Sequence, residues 1–204
     1  MLEAQDLAAR RGAHLLFQGL SFRVPPGQVL VIAGRNGSGK TTLLRILAGL
    51  TQPAEGRVTW LGQDLASPAP ATRADTLFAG HAPALKDELT VIENLLALAE
   101  LAGTPLSAQA AQRALDACGL KAQRHLPART LSQGQRRRIA LARMALGGPR
   151  LWLLDEPATA LDADGLRLLA ALTGDHLAAG GTVAAATHQP LDLPADRVQT
   201  LAMA

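Results

Sequence analysis

One stretch decides the fold of this chain: Gly34-Arg35-Asn36-Gly37-Ser38-Gly39-Lys40-Thr41. It fits the pattern G-x-x-x-x-G-K-[ST], in which a glycine-rich turn presents backbone N–H groups to phosphate oxygens. The glycines let the backbone approach phosphate without a Cβ in the way. The same pattern predicts that Lys40 reaches the β- and γ-phosphates of a nucleotide and that the Thr41 hydroxyl binds Mg²⁺.

The flanking segments supply the context that such a loop requires. Residues 28–33 are mostly apolar, which is typical of a buried parallel strand. Residues 42–48 carry apolar side chains at helical spacing, and Gly49 follows where a helix should end. The N-terminus of that helix would point its positive dipole end at the same phosphates. Strand, loop and helix therefore arrive in the order of a nucleotide-binding unit.

Length and composition indicate a folded α/β protein. The chain has 204 residues, of which 48% are hydrophobic and only 2% aromatic, and its formal net charge is +3. This length suits one domain, with room for an inserted subdomain. The scarce aromatic side chains and the small charge disfavour nucleic-acid binding, which relies on base stacking and phosphate neutralisation.

The single cysteine, Cys118, excludes an intrachain disulfide and suits a reducing compartment. It lies at the end of a predicted helix, so a buried structural thiol is favoured over a reactive one. No apolar run is long enough to span a membrane, and residues 1–6 lack the charged and apolar regions of a signal peptide. We therefore expect a cytoplasmic protein that docks on another component.

Strand signals near the start of the chain predict a small antiparallel sheet beside the nucleotide-binding core. These strand-like segments lie at residues 2–7, 15–17, 20–24 and 56–62, with glycine and proline turns between them. Residues 66–74, rich in Pro, Ala and Ser, are predicted to be a loop.

The pattern becomes helical from Thr90 to about Gly147. Thr90, Ser107 and Ser132 are each placed to cap the start of a helix. The remaining predicted elements are a buried strand at 151–155, a helix at 160–179 and a strand at 182–187, soon after which the chain stops. This order predicts a mainly parallel sheet with a helical insertion.

Two acidic residues follow the apolar part of the predicted strand at 151–155. Asp155, at the carboxyl edge of a parallel strand, can hold Mg²⁺ through water. Glu156 is then placed to orient or deprotonate the attacking water, which is the role of a general base. The alternative is an acidic pair that only caps the next helix.

A third motif, Leu131-Ser132-Gln133-Gly134-Gln135, lies between the phosphate loop and the acidic pair. Ser132 offers a hydroxyl, Gly134 allows close approach, and the helix that follows presents N–H groups to an anion. With all three motifs, the chain resembles the ABC-type ATPases. The resemblance implies an α/β P-loop NTPase (RecA-like) fold, with a mainly parallel sheet, an N-terminal antiparallel β subdomain and a helical subdomain.

The resemblance also implies the domain organisation. We expect a single ABC ATPase domain over residues 1–204. Residues 1–80 and 148–204 are expected to form the nucleotide-binding core and the antiparallel subdomain, and about 81–147 the helical subdomain that carries the signature motif.

A head-to-tail dimer is a further implication of this resemblance. In the family the signature motif closes over the γ-phosphate bound to a second subunit, so two chains sandwich two ATP molecules. Ala160-Leu161-Asp162 resembles the loop that crosses the dimer seam. His188, at the end of the last predicted strand, resembles the switch histidine that contacts the γ-phosphate; the alternative is an ordinary solvated histidine.

The predicted site residues fall into three groups. The catalytic residues are Lys40, Glu156 and His188. The Mg²⁺ ligands are Thr41, Asp155 and His81. The nucleotide contacts are Gly34, Arg35, Asn36, Gly37, Ser38, Gly39, Lys40, Thr41 and Thr42 of the phosphate loop and Ser132, Gly134 and Gln135 of the signature motif.

The chain departs from the family pattern at two positions. The family usually has Gln after its middle strand, where it ligates Mg²⁺ and senses the transmembrane partner, and this chain has His81. A neutral imidazole can still ligate through water, although Mg²⁺ prefers oxygen. The family often stacks adenine on an aromatic near residues 10–13, where this chain has Arg10 and Arg11. An arginine plane, or Phe17 in a shifted register, is the predicted substitute.

Within the family, the chain is similar to the ATP-binding subunits of the haem exporters of cytochrome c biogenesis. The similarity rests on the small size and on Gly80-His81, Lys86, Leu89-Thr90, Glu93-Asn94-Leu95, Leu131 to Arg138 and Thr187 to Leu191. It implies ATP and Mg²⁺ as cofactors, with a second copy of the chain and an integral membrane permease as partners. It also implies a peripheral position on the cytoplasmic face of the bacterial inner membrane. Hydrolysis would drive haem export or release haem from a chaperone complex.

Two other functions stay open at this point. One is the ATPase subunit of another ABC exporter, for a lipid, lipoprotein or drug, since the transported molecule contacts the permease and leaves little trace in this chain. The other is a soluble ABC ATPase acting on ribosomes or DNA. The single cassette and the small net charge weigh against this second alternative.

Overall fold

Residues 1–203 are described by the computed structural model of the chain. Its strands are β1 (Leu2–Arg11), β2 (His14–Val24), β3 (Val29–Gly34), β4 (Glu55–Trp60), β5 (Gln63–Asp64), β6 (Thr76–Ala79), β7 (Leu151–Asp155), β8 (Thr182–Ala186) and β9 (Val198–Met203). Its helices are α1 (Lys40–Leu47), α2 (Pro70–Ala74), α3 (Val91–Leu101), α4 (Ala108–Ala117), α5 (Gln133–Ala145) and α6 (Ala163–Ala178). Short 3₁₀ helices lie at Ala128–Thr130 and Ala195–Arg197.

A parallel sheet of five strands forms the centre of the molecule, in the order β6-β7-β8-β3-β9. The phosphate loop begins at the carboxyl end of β3 and leads into α1 at Lys40. In a parallel sheet all carboxyl ends share one edge, so the residues after β6 and β7 lie on the same edge as the loop. The predicted α/β fold with a mainly parallel sheet is confirmed.

Alternating side chains of β3 pack into two separate cores, one on each face of the parallel sheet. Leu30 and Ile32 share a core with α1 and with the antiparallel sheet, whose strand order is β2-β1-β4-β5. Val29 and Val31 pack into the opposite core, which α3, α4, α5 and α6 cover. Helix α1 is thus held between two sheets, which fixes the phosphate loop at its N-terminus.

The predicted helix caps are present. Thr90 caps α3 and Ser132 caps α5, each in a capping box with a side chain three residues later, Glu93 and Gln135 respectively. The Ser107 hydroxyl accepts a hydrogen bond from the Ala110 N–H at the start of α4. The helical character predicted for this part of the chain is therefore confirmed as three capped helices.

The prediction of a loop over residues 66–74 is wrong for its second half. Residues Pro70–Ala74 form α2, after Ala69 in extended conformation. Proline suits the first turn of a helix because its missing N–H has no intrahelical partner there. The Pro-rich composition therefore indicated a helix start as well as a loop.

A strand was also missing from the prediction. The sequence signals ended at residue 187, but β9 (Val198–Met203) adds to the sheet as a parallel partner of β3 over six residue pairs. It is an edge strand with mixed burial, so its sequence lacks the continuous apolar run of β7 or β8. Only the pairing with β3 makes this segment a strand.

Several predicted boundaries shift in the structure. The predicted strand at 2–7 extends to Arg11, and the pieces at 15–17 and 20–24 belong to one strand, β2, whose register with β1 is irregular. The helix predicted from residue 160 begins at Ala163, because the Asp162 carboxylate caps it by accepting from the Gly165 N–H.

Cys118 is fully buried at the C-cap of α4, which confirms the predicted structural thiol. Burial raises the pKa of the thiol to about 11, and the nearby Arg138 charge only partly opposes this. Within residues 1–203, no helix has the length and apolar character needed to cross a membrane.

Candidate active site

The phosphate loop is closed on itself around the Lys40 ammonium. Lys40 Nζ donates hydrogen bonds to the carbonyl oxygens of Gly34, at 2.7 Å, and Arg35, at 2.9 Å. Gly37 and Gly39 adopt φ values of 87° and 96°, in the left-handed region that glycine enters without strain. The loop is thus folded in the curved shape that encloses an anion, with its cation held at the centre.

The residues packed against the phosphate loop leave no room for a side chain at Gly34 or Gly39. A Cβ on Gly34 would lie 2.5 Å from the Met203 carbonyl oxygen, and one on Gly39 would lie 3.0 Å from the Phe17 ring. Phe17 is 9% exposed and packs below the loop. It does not line the cavity described below, so the shifted-register alternative for adenine stacking is not supported by its position.

The Ser38 hydroxyl supplies a test of whether the loop fits a phosphate. Its Oγ is buried and has no hydrogen-bond partner within the described chain. A buried hydroxyl without a partner is costly, and it is satisfied when an acceptor enters the site. A phosphate oxygen in the loop would be such an acceptor, so the residues present fit the group that the motif predicts.

Oxygen ligands suited to Mg²⁺ meet next to the loop. The Thr41 hydroxyl donates to Oδ2 of Asp155 at 2.9 Å. This contact joins the end of the phosphate loop to the acidic pair. Asp155 is 3% exposed. A hydroxyl and a carboxylate are hard oxygen donors of the kind that Mg²⁺ selects, so this pair fits the predicted metal.

A cavity of about 370 Å³ opens beside these groups. Its walls consist of Arg11, Leu16, Asn36, Gly37, Gly39, Lys40, Thr41, Thr42, His81, Asp155 and Glu156. The structure therefore brings residues from the phosphate loop, the acidic pair and position 81 to one place. Arg11, one of the two arginines considered for adenine stacking, lies in this wall. Leu16 was missed because nothing in its sequence context marks it as a ligand contact.

Glu156 has an unusual backbone conformation for a residue with a side chain. Its φ is 51°, in the left-handed region, and its N–H donates to the Ala186 carbonyl at 2.8 Å. Strained backbone of this kind persists where surrounding contacts determine it, and it concentrates at functional sites. The side chain is 20% exposed, and its Oε1 lies 3.4 Å from Nε2 of His188, whose side chain is 51% exposed.

The signature motif lies outside the cavity that its own chain forms. Ser132 and Gln135 form the capping box of α5 and Gly134 lies in its first turn, and none of the three contributes to the cavity wall. A Cβ on Gly134 would lie 2.8 Å from the Ala160 carbonyl oxygen, so the motif packs against the segment that precedes α6. Asp162 of that segment accepts a hydrogen bond from Arg138 of α5 at 2.6 Å.

The predicted site residues therefore separate into two groups. Most of those from the loop, the acidic pair and position 81 line one cavity, and His188 reaches it through Glu156. The signature residues form a second surface, joined to the segment at Ala160 to Asp162. The two groups do not share one cavity within this chain.

Comparison with known proteins agrees with this geometry. The sequence profile of the ABC transporter family matches residues 17–159. The chain is 49% identical to the cytochrome c biogenesis ATP-binding export protein CcmA of Pseudomonas aeruginosa, over 95% of each chain.

Two solved structures share the fold. One is MJ1267 in its ADP conformation, an ATP-binding cassette of an ABC transporter, with a TM-score of 0.79 and 23% identity over 100% of this chain and 87% of the other. The other is the ATP-binding cassette MJ0796, in a dimeric post-hydrolysis state bound to ADP and phosphate. It has a TM-score of 0.79 and 24% identity over 93% and 88% of the two chains.

The site and the similarity lead to the same enzyme class. The glycine-rich loop with Lys40 at its centre and the acidic pair beside it are parts that a phosphoryl-transfer site of this fold requires. The chain is an ATPase that belongs to the ABC transporter family and, within it, to the cytochrome c biogenesis ATP-binding export proteins.

Proposed function

We propose that this chain hydrolyses Mg-ATP to power a membrane permease that serves cytochrome c biogenesis. The observation that carries the ATP part is the cavity shared by Lys40, Thr41, Asp155 and Glu156. The name of the similar Pseudomonas aeruginosa protein, an ATP-binding export protein of cytochrome c biogenesis, supports the cellular role.

In this mechanism the phosphate loop binds the triphosphate. The Lys40 ammonium exchanges its bonds to Gly34 and Arg35 for the β- and γ-phosphate oxygens. The Ser38 hydroxyl gains the partner that it lacks, and the N–H groups of α1 face the same charge. Thr41 and Asp155, with His81 as the third predicted ligand, would hold Mg²⁺, which supplies positive charge to the phosphate oxygens.

Hydrolysis uses the residues after β7 and β8. Glu156 takes a proton from water while the water oxygen bonds to the γ-phosphorus. The bond from that phosphorus to the bridging oxygen breaks, and ADP leaves with the electron pair. His188, whose Nε2 lies 3.4 Å from the Glu156 carboxylate, would hold that carboxylate and contact the γ-phosphate. Lys40 stabilises the charge that develops on the phosphate oxygens.

We further propose that a second copy of the chain completes each site. Ser132, Gly134 and Gln135 would cover the γ-phosphate held by the partner, since they do not line the cavity of their own chain. The dimeric MJ0796 cassette supports this arrangement by its similar fold. ATP binding would then draw two copies together, and hydrolysis would let them part.

The organisation of the chain follows from these roles. We propose a single ABC ATPase domain over residues 1–204, with 1–80 and 148–204 as nucleotide-binding core and antiparallel subdomain. About 81–147 would form the helical subdomain that transmits motion to an integral membrane permease. The protein would then sit as a peripheral subunit on the cytoplasmic face of the bacterial inner membrane, where it exports haem or releases it from a chaperone complex.

A co-purification experiment tests this proposal. Glu156→Gln should bind ATP without hydrolysing it and remain in the closed dimer, so it should retain its partners during purification from solubilised host membranes in Mg-ATP. We expect a multispan permease and haem-containing proteins, detected by mass spectrometry and haem absorbance. Lys40→Ala, which should not close on ATP, is the matched control.

Other results would contradict parts of the proposal. A permease without haem-handling partners would assign the ATPase to another exporter, for a lipid, lipoprotein or drug. Ribosomes or DNA in place of a permease would overturn the transporter role. Full ATP turnover by Glu156→Gln would remove Glu156 as the base.

A further inference from the structure

A buried arginine contacts the site from behind the cavity. Arg137, on α5, is only 5% exposed. Its Nη1 donates to the Gly80 carbonyl at 3.0 Å, and its Nη2 donates to the Glu156 carbonyl and lies 3.4 Å from the Asp155 carbonyl. Gly80 directly precedes His81, so one guanidinium joins the backbones beside three cavity-lining side chains.

The surroundings of Arg137 are unusual for a buried cation. Burial lowers the pKa of this guanidinium, while the charges of Asp155 and Glu156 oppose the shift. Within residues 1–203 it forms no ion pair at 4.0 Å or less, and its hydrogen bonds go to backbone carbonyls. The planar fork of arginine can serve two carbonyl groups from different segments at once, which a lysine ammonium cannot reproduce with the same geometry.

The hydrogen bond from Arg137 fixes the backbone of Glu156, which has an unusual conformation. Glu156 has a φ of 51°, and both of its backbone hydrogen-bonding groups are held: the N–H by the Ala186 carbonyl and the carbonyl by Arg137. The first contact comes from strand β8 and the second from α5, the helix that begins at the signature motif and is called the signature helix below. Hydrogen bonds on the N–H side and on the carbonyl side of Glu156 thus fix its backbone, and with it the direction of its side chain.

We propose that Arg137 is a positioning residue for ATP hydrolysis. It holds the Glu156 backbone so that the carboxylate faces the cavity, and it links that backbone to the segment carrying His81. Since Arg137 lies on α5, a displacement of the signature helix reaches the base and position 81 together. The inference rests on the proposed role of Glu156 as the base.

The test compares two neighbouring arginines on one helix. Arg137→Lys keeps the charge but loses the fork, and we expect kcat for ATP to fall at least about tenfold while KM stays within about twofold, because the phosphate loop is untouched. Arg136→Lys is the control. Arg136 pairs with Asp87 on the surface at 2.7 Å, which lysine can also do, so its kcat should be unchanged.

A second variant and a second measurement distinguish a positioning role from a loss of folding. If Arg137→Lys does not fold, Arg137→Gln removes the buried charge and keeps a single NH₂ group as donor, and the same separation of kcat from KM is expected. Hydrogen exchange should increase at residues 79–82 and 155–158 together, while strands β1 and β2 keep their protection. A merely structural role would raise exchange throughout and reduce the active fraction without changing kcat per active chain.

The inference and the base assignment fail in different ways. Unchanged kcat in folded Arg137→Lys and Arg137→Gln, with Glu156→Gln inactive, would overturn the positioning role alone. An active Glu156→Gln would overturn the base role, whatever the Arg137 variants do. Increased exchange at 155–158 without any change at 79–82 would remove the link to position 81.

Discussion

At the scale of single residues, two helical glycines allow a sharp comparison. Gly134→Ala adds a methyl group 2.8 Å from the Ala160 carbonyl oxygen, so either the signature motif or the segment before α6 must move. Gly174→Ala, within α6, adds a methyl group that meets nothing within 4 Å. Alanine is favoured over glycine inside a helix by about 1 kcal/mol, so only Gly174→Ala should gain its full benefit.

We expect opposite outcomes in stability and turnover. Gly174→Ala should raise the free energy of unfolding by about 0.5–1 kcal/mol and leave ATPase activity unchanged. Gly134→Ala should gain no stability and lose at least about tenfold in kcat, since its surface is the one proposed to meet the partner's γ-phosphate. Denaturant unfolding and phosphate release measure both quantities. Equal activity in the two variants would contradict a role for the close packing at Gly134.

At the scale of elements, two capping boxes separate helix stability from chemistry. Thr90 with Glu93 and Ser132 with Gln135 cap α3 and α5 through the same pattern of bonds. Thr90→Ala and Ser132→Ala should each cost about 1 kcal/mol of stability, because each removes one N-cap acceptor. Only Ser132→Ala should also lower kcat, by about tenfold or more, because its hydroxyl is proposed to contact ATP. A similar loss of kcat in both variants, measured below their unfolding temperatures, would assign the effect to helix stability alone.

The same elements show what local sequence can predict in this fold. The caps, α1 and the buried strands β7 and β8 were predictable because capping side chains and continuous apolar runs are local signals. The edge strand β9 was not, since its strand conformation depends on pairing with β3, far away in the chain. Helix α2 was missed because a proline-rich segment favours both loops and first helical turns.

In the candidate site, too, some residues are recognisable from local sequence and others only from the fold. Each motif of the site could be read from its own residues, because glycine, lysine and paired acids are needed at fixed spacing. Arg137 could not be recognised in this way. It stands among three consecutive arginines, and only the folded chain shows that Arg136 and Arg138 form ion pairs while Arg137 reaches the backbones at Gly80 and Glu156.

At the scale of the whole molecule, the separation of loop and signature motif predicts complementation between two inactive chains. In a head-to-tail dimer each site takes its loop from one copy and its signature motif from the other. Lys40→Ala destroys every loop, and Ser132→Arg blocks every signature surface, so each variant alone should be inactive. A mixed dimer, however, joins the intact loop of the Ser132→Arg chain to the intact signature motif of the Lys40→Ala chain, which restores one of its two sites.

The yield of the mixture follows from random pairing. Random pairing of equal amounts gives at most about half mixed dimers, each with one working site, so the activity should recover to no more than about a quarter of the wild-type value if the sites act independently. Phosphate release is measured for each variant alone, for the mixture and for the wild type at the same total chain concentration. A chain that used its own signature motif would show no recovery, since every copy in the mixture carries one defect. Recovery of activity would therefore require that the two surfaces meet across a dimer, and its absence would contradict a dimer in which each site works independently.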